Sequence, residues 1–315
     1  MMSASISIII PAYNEEAFIG QTLDSINLLL SDSVEGFNYE VIVVDNGSTD
    51  RTRGIALSKG AKVLDFPVGT IAAVRNFGVR NSTGKVLVFL DADVCLTSSW
   101  VDEFKSIYPR LLAGEKFITG SQCAPPDSNN WLLKYWFRSF YEVADAVHLG
   151  SAHLIMSSVC FNLIGGFDPE KETGEDYDIC RQCVDAGYHI ENNLSLLVYH
   201  NDFPTNVVKF MKREAWHGIG DYSSLESMMS SKVAQVTLIF VGLHILGGYL
   251  VFTERGGGGW VVCMLLLILS LTTCKRFGFK GLRALMVNSG ISYFYFLGRA
   301  LSPFMKLRRY FKSTS

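Results

Sequence analysis

Val86-Leu87-Val88-Phe89-Leu90-Asp91-Ala92-Asp93 decides the fold of this 315-residue chain. A short, wholly apolar run reads as a strand buried on both faces. Here the run stops on two carboxylates one residue apart. Such a pair at the mouth of a pocket can hold a hard divalent cation, Mg²⁺ or Mn²⁺. Such an ion is commonly shared between protein carboxylates and a substrate's phosphates. A plain strand-to-loop turn is the alternative, because Asp also favours turns.

Working outward toward the N-terminus, the pattern repeats. Ile6–Ile10, Val41–Val44 and Lys62–Leu64 read as further strands, and Glu16–Leu30, Asp50–Ser58 and Thr70–Asn81 as the helices between them. Apolar strands alternating with helices predict a doubly covered, mostly parallel α/β sheet. Ligands bind such sheets at the carboxyl ends of the strands. Two more polar clusters fall there, Pro11-Ala12-Tyr13-Asn14-Glu15 and Asp45-Asn46-Gly47-Ser48-Thr49-Asp50. Asn14 is expected to cap the following helix, and Gly47 to let the backbone turn close to a ligand. The chain has no G-x-G-x-x-G after the first strand and no phosphate-binding G-x-x-x-x-G-K-[ST], which counts against dinucleotide and P-loop chemistry.

Toward the C-terminus the signals are more scattered. Trp131–Tyr141 reads as an amphipathic, aromatic helix, suited to a membrane interface, an acceptor groove or a core. Gly174-Glu175-Asp176-Tyr177-Asp178 precedes a predicted helix over Ile179–Ala186. His200 follows a short strand, Leu196–Tyr199. Cys180 and Cys183 have no second pair to complete a zinc site. Seven cysteines, an odd number, fit a reducing compartment.

Charge divides the chain. Residues 1–232 hold 18 basic and 29 acidic groups, whereas residues 275–315 hold nine Lys or Arg and no acid. Between them, Val233–Thr253 and Gly256–Cys274 are free of formal charge. A bilayer-crossing helix needs about 20 apolar residues, so these predict two spans; a buried helical hairpin is the alternative. No secretory leader is read at the N-terminus. The expected arrangement is therefore a multi-pass membrane protein, of the inner membrane in a bacterium, with its acidic head in the cytoplasm. The basic tail suits anionic membrane lipids and does not call for nucleic acid. A third apolar segment, 284–301, carries basic groups on both sides, which favours an interfacial or re-entrant helix over a third span. Lys209, Lys212, Arg213 and Trp216 suit a segment resting on headgroups, which would turn the sheet's active edge toward the membrane.

Five motifs, in order, carry a resemblance: Ser7–Glu15, Val41–Asp50, Arg75-Asn76-Phe77-Gly78, Phe89–Asp93 and Gly174-Glu175-Asp176. Over residues 5–202 the chain resembles a family 2 glycosyltransferase with the GT-A fold. The resemblance implies that Pro11, Ala12, Tyr13, Glu15 and Asp45 hold a nucleotide, with Asp45 at the base and Glu15 at the ribose. It implies Asp93 as the main metal ligand, with Asp91 and Ala92 beside it holding nucleotide or metal and His200 completing the shell. Arg75 would lie near the donor's diphosphate or sugar. Asp176 would be the catalytic base, supported by Glu175. The implied partners are a nucleoside-diphosphate sugar, with a UDP-sugar favoured, and a lipid-linked or glycan acceptor. The alternatives are a sugar nucleotidyltransferase and a non-catalytic membrane scaffold on the same fold. The expected domains are a catalytic domain over 1–215, an interfacial connector over 216–232 and a membrane region over 233–315.

Overall fold

A computed structural model describes residues 5–31, 37–141 and 148–305, without the side chains of Ser31 and Phe140. In chain order come β1 (Ile6–Ala12), α1 (Ile19–Ser31), β2 (Tyr39–Asp45), α2 (Thr52–Ser58), β3 (Lys62–Asp65), α3 (Ile71–Arg80), β4 (Val86–Leu90), β5 (Val94–Leu96), α4 (Ser98–Leu112) and β6 (Phe117–Gly120). A π-helical stretch over Leu133–Phe137 leads into α5 (Arg138–Tyr141). There follow β7 (His153–Ser157), α6 (Ser158–Ile164), α7 (Glu175–Asp185), β8 (His189–Asn192), β9 (Val198–His200) and α8 (Val207–His217). After a 3₁₀ turn over Gly220–Tyr222 the chain ends in α9 (Leu225–Ser230), α10 (Lys232–Phe252), α11 (Gly258–Phe277) and α12 (Leu282–Ala300).

The chain divides into two compact units, residues 1–127 with 143–203, and residues 128–142 with 204–315. The first is built on a seven-stranded sheet in the order β3-β2-β1-β4-β7-β6-β8. β1 pairs in parallel with β2 and with β4, and β2 with β3, as the sequence predicts. β7 runs antiparallel to both β4 and β6. Both faces are dry. Ile6, Ile8, Ile10, Val86, Val88 and Leu90 pack on one side with α1 and α4. Ile9, Ile42, Val44, Leu87 and Phe89 pack on the other with α3, α6 and α7. That two-sided burial explains why these strands are apolar without alternation. Strand order reverses between β1 and β4, and crevices form outside the carboxyl ends at such a point.

Three local expectations change. α1 begins at Ile19 rather than Glu16. Asn14 takes a left-handed φ of 57°, which a helical first turn does not allow. Its side chain accepts hydrogen bonds from the Thr49 amide (2.8 Å) and hydroxyl (3.3 Å), so it ties two loops together instead of capping a helix. Glu175 and Asp176 lie within the first turn of α7, where carboxylates oppose the positive end of the helix dipole.

Residues 128–142 and 204–215, expected in the catalytic domain, belong to the second unit. Trp136 explains this grouping: its ring meets Phe210, Phe277 and Tyr295 at 5.1–5.5 Å, so the aromatic segment is core there. Within the same unit Arg299 pairs with Glu214 and Asp221, both at 3.2 Å, tying α12 to α8. Gly298 permits that approach, since a Cβ there would lie 2.8 Å from the Met211 carbonyl oxygen. α10 and α11 are long and apolar enough to cross a membrane. The basic cluster Lys306–Lys312 lies outside the described residues.

Gly78 of α3 sits against the sheet, and a Cβ there would fall 2.5 Å from Ile9 Cγ2 and 3.1 Å from Val44 Cγ2. We expect Gly78→Val to destabilise the chain by roughly 1–3 kcal/mol through overpacking. A thermal-unfolding midpoint equal to that of the native chain contradicts this packing.

Candidate active site

The site assembles at the carboxyl ends of β1, β2 and β4. Pro11 and Ala12 are buried at the end of β1, and Tyr13 stands 58% exposed beyond them. The following loop is fastened to the loop after β2. The Asn14 amide donates to Ser48 Oγ (2.9 Å), the Glu15 amide to Thr52 Oγ1 (2.7 Å) and the Glu16 amide to Asp50 Oδ2 (3.1 Å). Asp45 ends β2 buried, and its carboxylate accepts from the Ser48 amide at 3.3 Å. Gly47 allows this turn with φ 83°, and a Cβ there would crowd the Pro67 carbonyl oxygen at 3.0 Å.

Asp91-Ala92-Asp93 is held from three sides. The Asp91 amide donates to the Ala152 carbonyl oxygen, Thr22 Oγ1 to the Ala92 carbonyl oxygen, and the Asn201 amide to the Asp93 carbonyl oxygen. β5 and β9 pair antiparallel immediately after the motif, with Val94 opposite His200. That short ribbon brings the imidazole to the carboxylates: His200 Nδ1 lies 3.1 Å from Asp93 Oδ2, and its ring stacks on Phe203. Ligand atoms of Asp91, Asp93 and His200 all fall within 4.8 Å of one another. Two carboxylates and an imidazole at that spacing fit a divalent cation.

The electrostatics agree with that fit. Burial, with Asp91, Glu15 and Asp202 around it, pushes the Asp93 carboxyl up to about 8. Burial also raises Glu15 to about 7, assisted by Asp202, Asp91 and Asp50. A divalent cation there would offset this repulsion and favour the ionised carboxylates.

On the far side, Arg75 is 1% exposed and bridges the motifs. Its Nη2 donates to Asp91 Oδ1 at 2.7 Å and its Nη1 to Glu175 Oε1 at 3.0 Å. Ser151 Oγ donates to the same Glu175 oxygen at 2.9 Å. Asp178 is also engaged, by Lys171 (2.7 Å) and Arg181 (3.0 Å). Asp176, between these two, is half-buried, and its Oδ1 accepts from the Tyr177 amide at 2.8 Å. Ser151, Asp202 and Asn201 were not marked by the sequence. Asp202 had a signal in its place two residues after His200; Ser151 had none.

Residues 7–144 match the model of Glycosyl transferase family 2. That stretch is a family 2 glycosyltransferase domain, and the chain is a glycosyltransferase. A Haloferax volcanii protein named glycosyltransferase AglE is 27% identical over 260 residues, covering 78% of this chain and 81% of that one. A Rickettsia prowazekii protein named uncharacterized glycosyltransferase RP339 is 29% identical, covering 56% of this chain and 58% of its own length. A Drosophila melanogaster dolichyl-phosphate beta-glucosyltransferase is 35% identical over a shorter stretch, 29% of this chain and 31% of the relative. Among solved structures, a Pyrobaculum calidifontis mannosyltransferase in complex with GDP-Man and Mn²⁺ superposes with a TM-score of 0.60 at 15% identity. The alignment covers 97% of this chain and 89% of that one. The architecture of the glycosyltransferase is thus the GT-A fold.

Asp93 must shed its proton to become a ligand. With its carboxyl at about 8, apparent Mn²⁺ affinity should climb about tenfold from about pH 6 to pH 7, one proton leaving per ion bound, and flatten as pH nears 8. Calorimetric titration of the full chain with Mn²⁺ reads this; affinity flat with pH contradicts it.

Proposed function

We propose that this glycosyltransferase is an inverting, metal-dependent enzyme that moves a sugar from a nucleoside diphosphate, UDP favoured, to a membrane-associated, lipid-linked acceptor. The observation that carries the reading is the division of carboxylates. Asp91, Asp93 and His200 converge on one point, Glu175 and Asp178 are spent on cations, and Asp176 is left for chemistry.

Mg²⁺ or Mn²⁺ bound by Asp93, Asp91 and His200 would offset charge gathering on the departing diphosphate. The chain's own groups do the remainder. Asp45 and the fastened loops around Tyr13 and Glu15 offer a rigid seat for base and ribose, with Pro11, Ala12 and Ala92 shaping its floor. Asp176 accepts the acceptor hydroxyl's proton as that oxygen attacks the anomeric carbon. A single displacement through an oxocarbenium-like state inverts the centre, and one base suffices.

The membrane part of the reading rests on α10 and α11. Only 11% and 17% of their most apolar stretches are buried, which supports spans over the covered core of a soluble protein. We infer two spans with a cytoplasmic head. For α12 we infer an interfacial helix, since it leans on α8 through Arg299 and Glu214. A lipid-linked acceptor follows from a catalytic chain anchored where such acceptors reside. The name of the Drosophila relative, a dolichyl-phosphate glucosyltransferase, is in keeping with it.

We expect Asp176→Asn to bind nucleotide sugar with Mn²⁺ as the native chain does while losing about 10²–10⁴ of its transfer rate. Near-native turnover removes Asp176 from the role. Screening nucleotide sugars against the full chain in detergent with Mn²⁺ tests the class of reaction. Nucleoside diphosphate is the expected product. Pyrophosphate would mean nucleotidyl transfer, and a failure of every donor to bind would mean a scaffold.

A further inference from the structure

Arg75 does not sit as a donor ligand should. Both terminal nitrogens of its guanidinium are already given to carboxylates, and its Nε is buried without a hydrogen-bond partner among the described residues. At 1% exposure the guanidinium is buried away from a diphosphate in the crevice. The two carboxylates it holds come from the two halves of the site. Asp91 follows β4, 16 residues on from Arg75, and Glu175 opens α7, 100 residues on. The Phe167 ring, 5.7 Å from the guanidinium carbon, closes the space beside it.

We propose that Arg75 is a positioning residue coupling the cation site to the helix turn that carries Asp176. The proposal rests on the reading of Asp91 as a cation ligand and Asp176 as the base. One planar guanidinium serves two acids, so demand at one acid is felt at the other. With Asp91 engaged as a ligand, its oxygen would hold Nη2 less firmly, and the Arg75 charge would turn more fully to Glu175. Glu175 is the residue next to Asp176, and besides Arg75 it is held by Ser151. A tighter Arg75–Glu175 pair fixes the first turn of α7, so the base is set when the cation site is filled. Lysine keeps the charge, but its single ammonium cannot grip two acids as a fork does.

The test uses the full chain in detergent and Mn²⁺ alone as probe, with affinity read by electron paramagnetic resonance. Glu175→Gln frees Arg75 to pair wholly with Asp91 and should weaken Mn²⁺ binding about fivefold. In an Arg75→Lys background the same substitution should change affinity by less than about twofold. An equal effect in both backgrounds means Glu175 acts on the ion through its own field, and overturns the proposal, as does no effect in either. Arg75→Lys should also lower kcat for transfer while leaving the donor KM nearly unchanged; a rise in KM alone would make Arg75 a donor ligand after all. Should Arg75→Lys fail to fold, hydrogen exchange in the unsubstituted chain decides. Mn²⁺ alone should slow exchange across residues 174–178, and unchanged exchange there overturns the coupling. A native chain that binds no Mn²⁺ removes the metal site itself, and this proposal with it.

Discussion

One buried guanidinium faces two carboxylates at the carboxyl edge of the sheet, and the site is organised by the negative charge left over. Arg75 accounts for Asp91 and Glu175. It pairs with neither Asp93 nor Glu15, whose carboxyls are pushed toward protonation by burial and by the acids around them. Such crowding is costly to fold, and it persists because the sheet's dry interior fixes the backbone that carries it. The cost is the counterpart of an affinity: the same acids that repel one another are the ones a divalent cation would bring to rest.

Much of this was legible in the sequence for a physical reason. Strands buried on both faces must be apolar throughout, so β1, β2 and β4 announce themselves, and polar residues at their ends stand out against them. Asp45, Asp91, Asp93 and Glu15 were found that way. His200 was found because it too ends a strand, although nothing in its neighbourhood says that β9 folds back against β5 to meet Asp93. What could not be read was the set of pairings between distant residues. The resemblance set Arg75 near the donor's diphosphate or sugar, and a lone arginine on a helix gives no sign of two acids waiting 16 and 100 residues away. Asn14 looked like a cap because its chemistry suits one, and only the positive φ shows it doing other work.

The second unit was legible in its parts but not in its grouping. Length and apolarity define α10 and α11 without any reference to tertiary structure. The aromatic stretch 131–141 is different, since a run of large rings says only that something will cover them. Phe210, Phe277 and Tyr295 do so around Trp136, and these partners lie up to 159 residues away along the chain. The polar contacts Thr273 Oγ1 to Ser292 Oγ (2.9 Å) and His244 Nε2 to Tyr293 Oη (3.2 Å) join the apolar helices to α12. Such contacts give helices a specific register where apolar surface alone would not.

The short β5–β9 ribbon has a consequence for how the protein is made. It joins Asp93 to His200, so no nascent chain can close the cation site until synthesis has passed the second of these. The first apolar helix, starting at Lys232, follows within a few seconds of translation. Synthesis thus completes the sheet unit just before the first of two long apolar helices begins. The parallel strands of the sheet, which pair only after long crossovers, thus all leave the ribosome ahead of those helices.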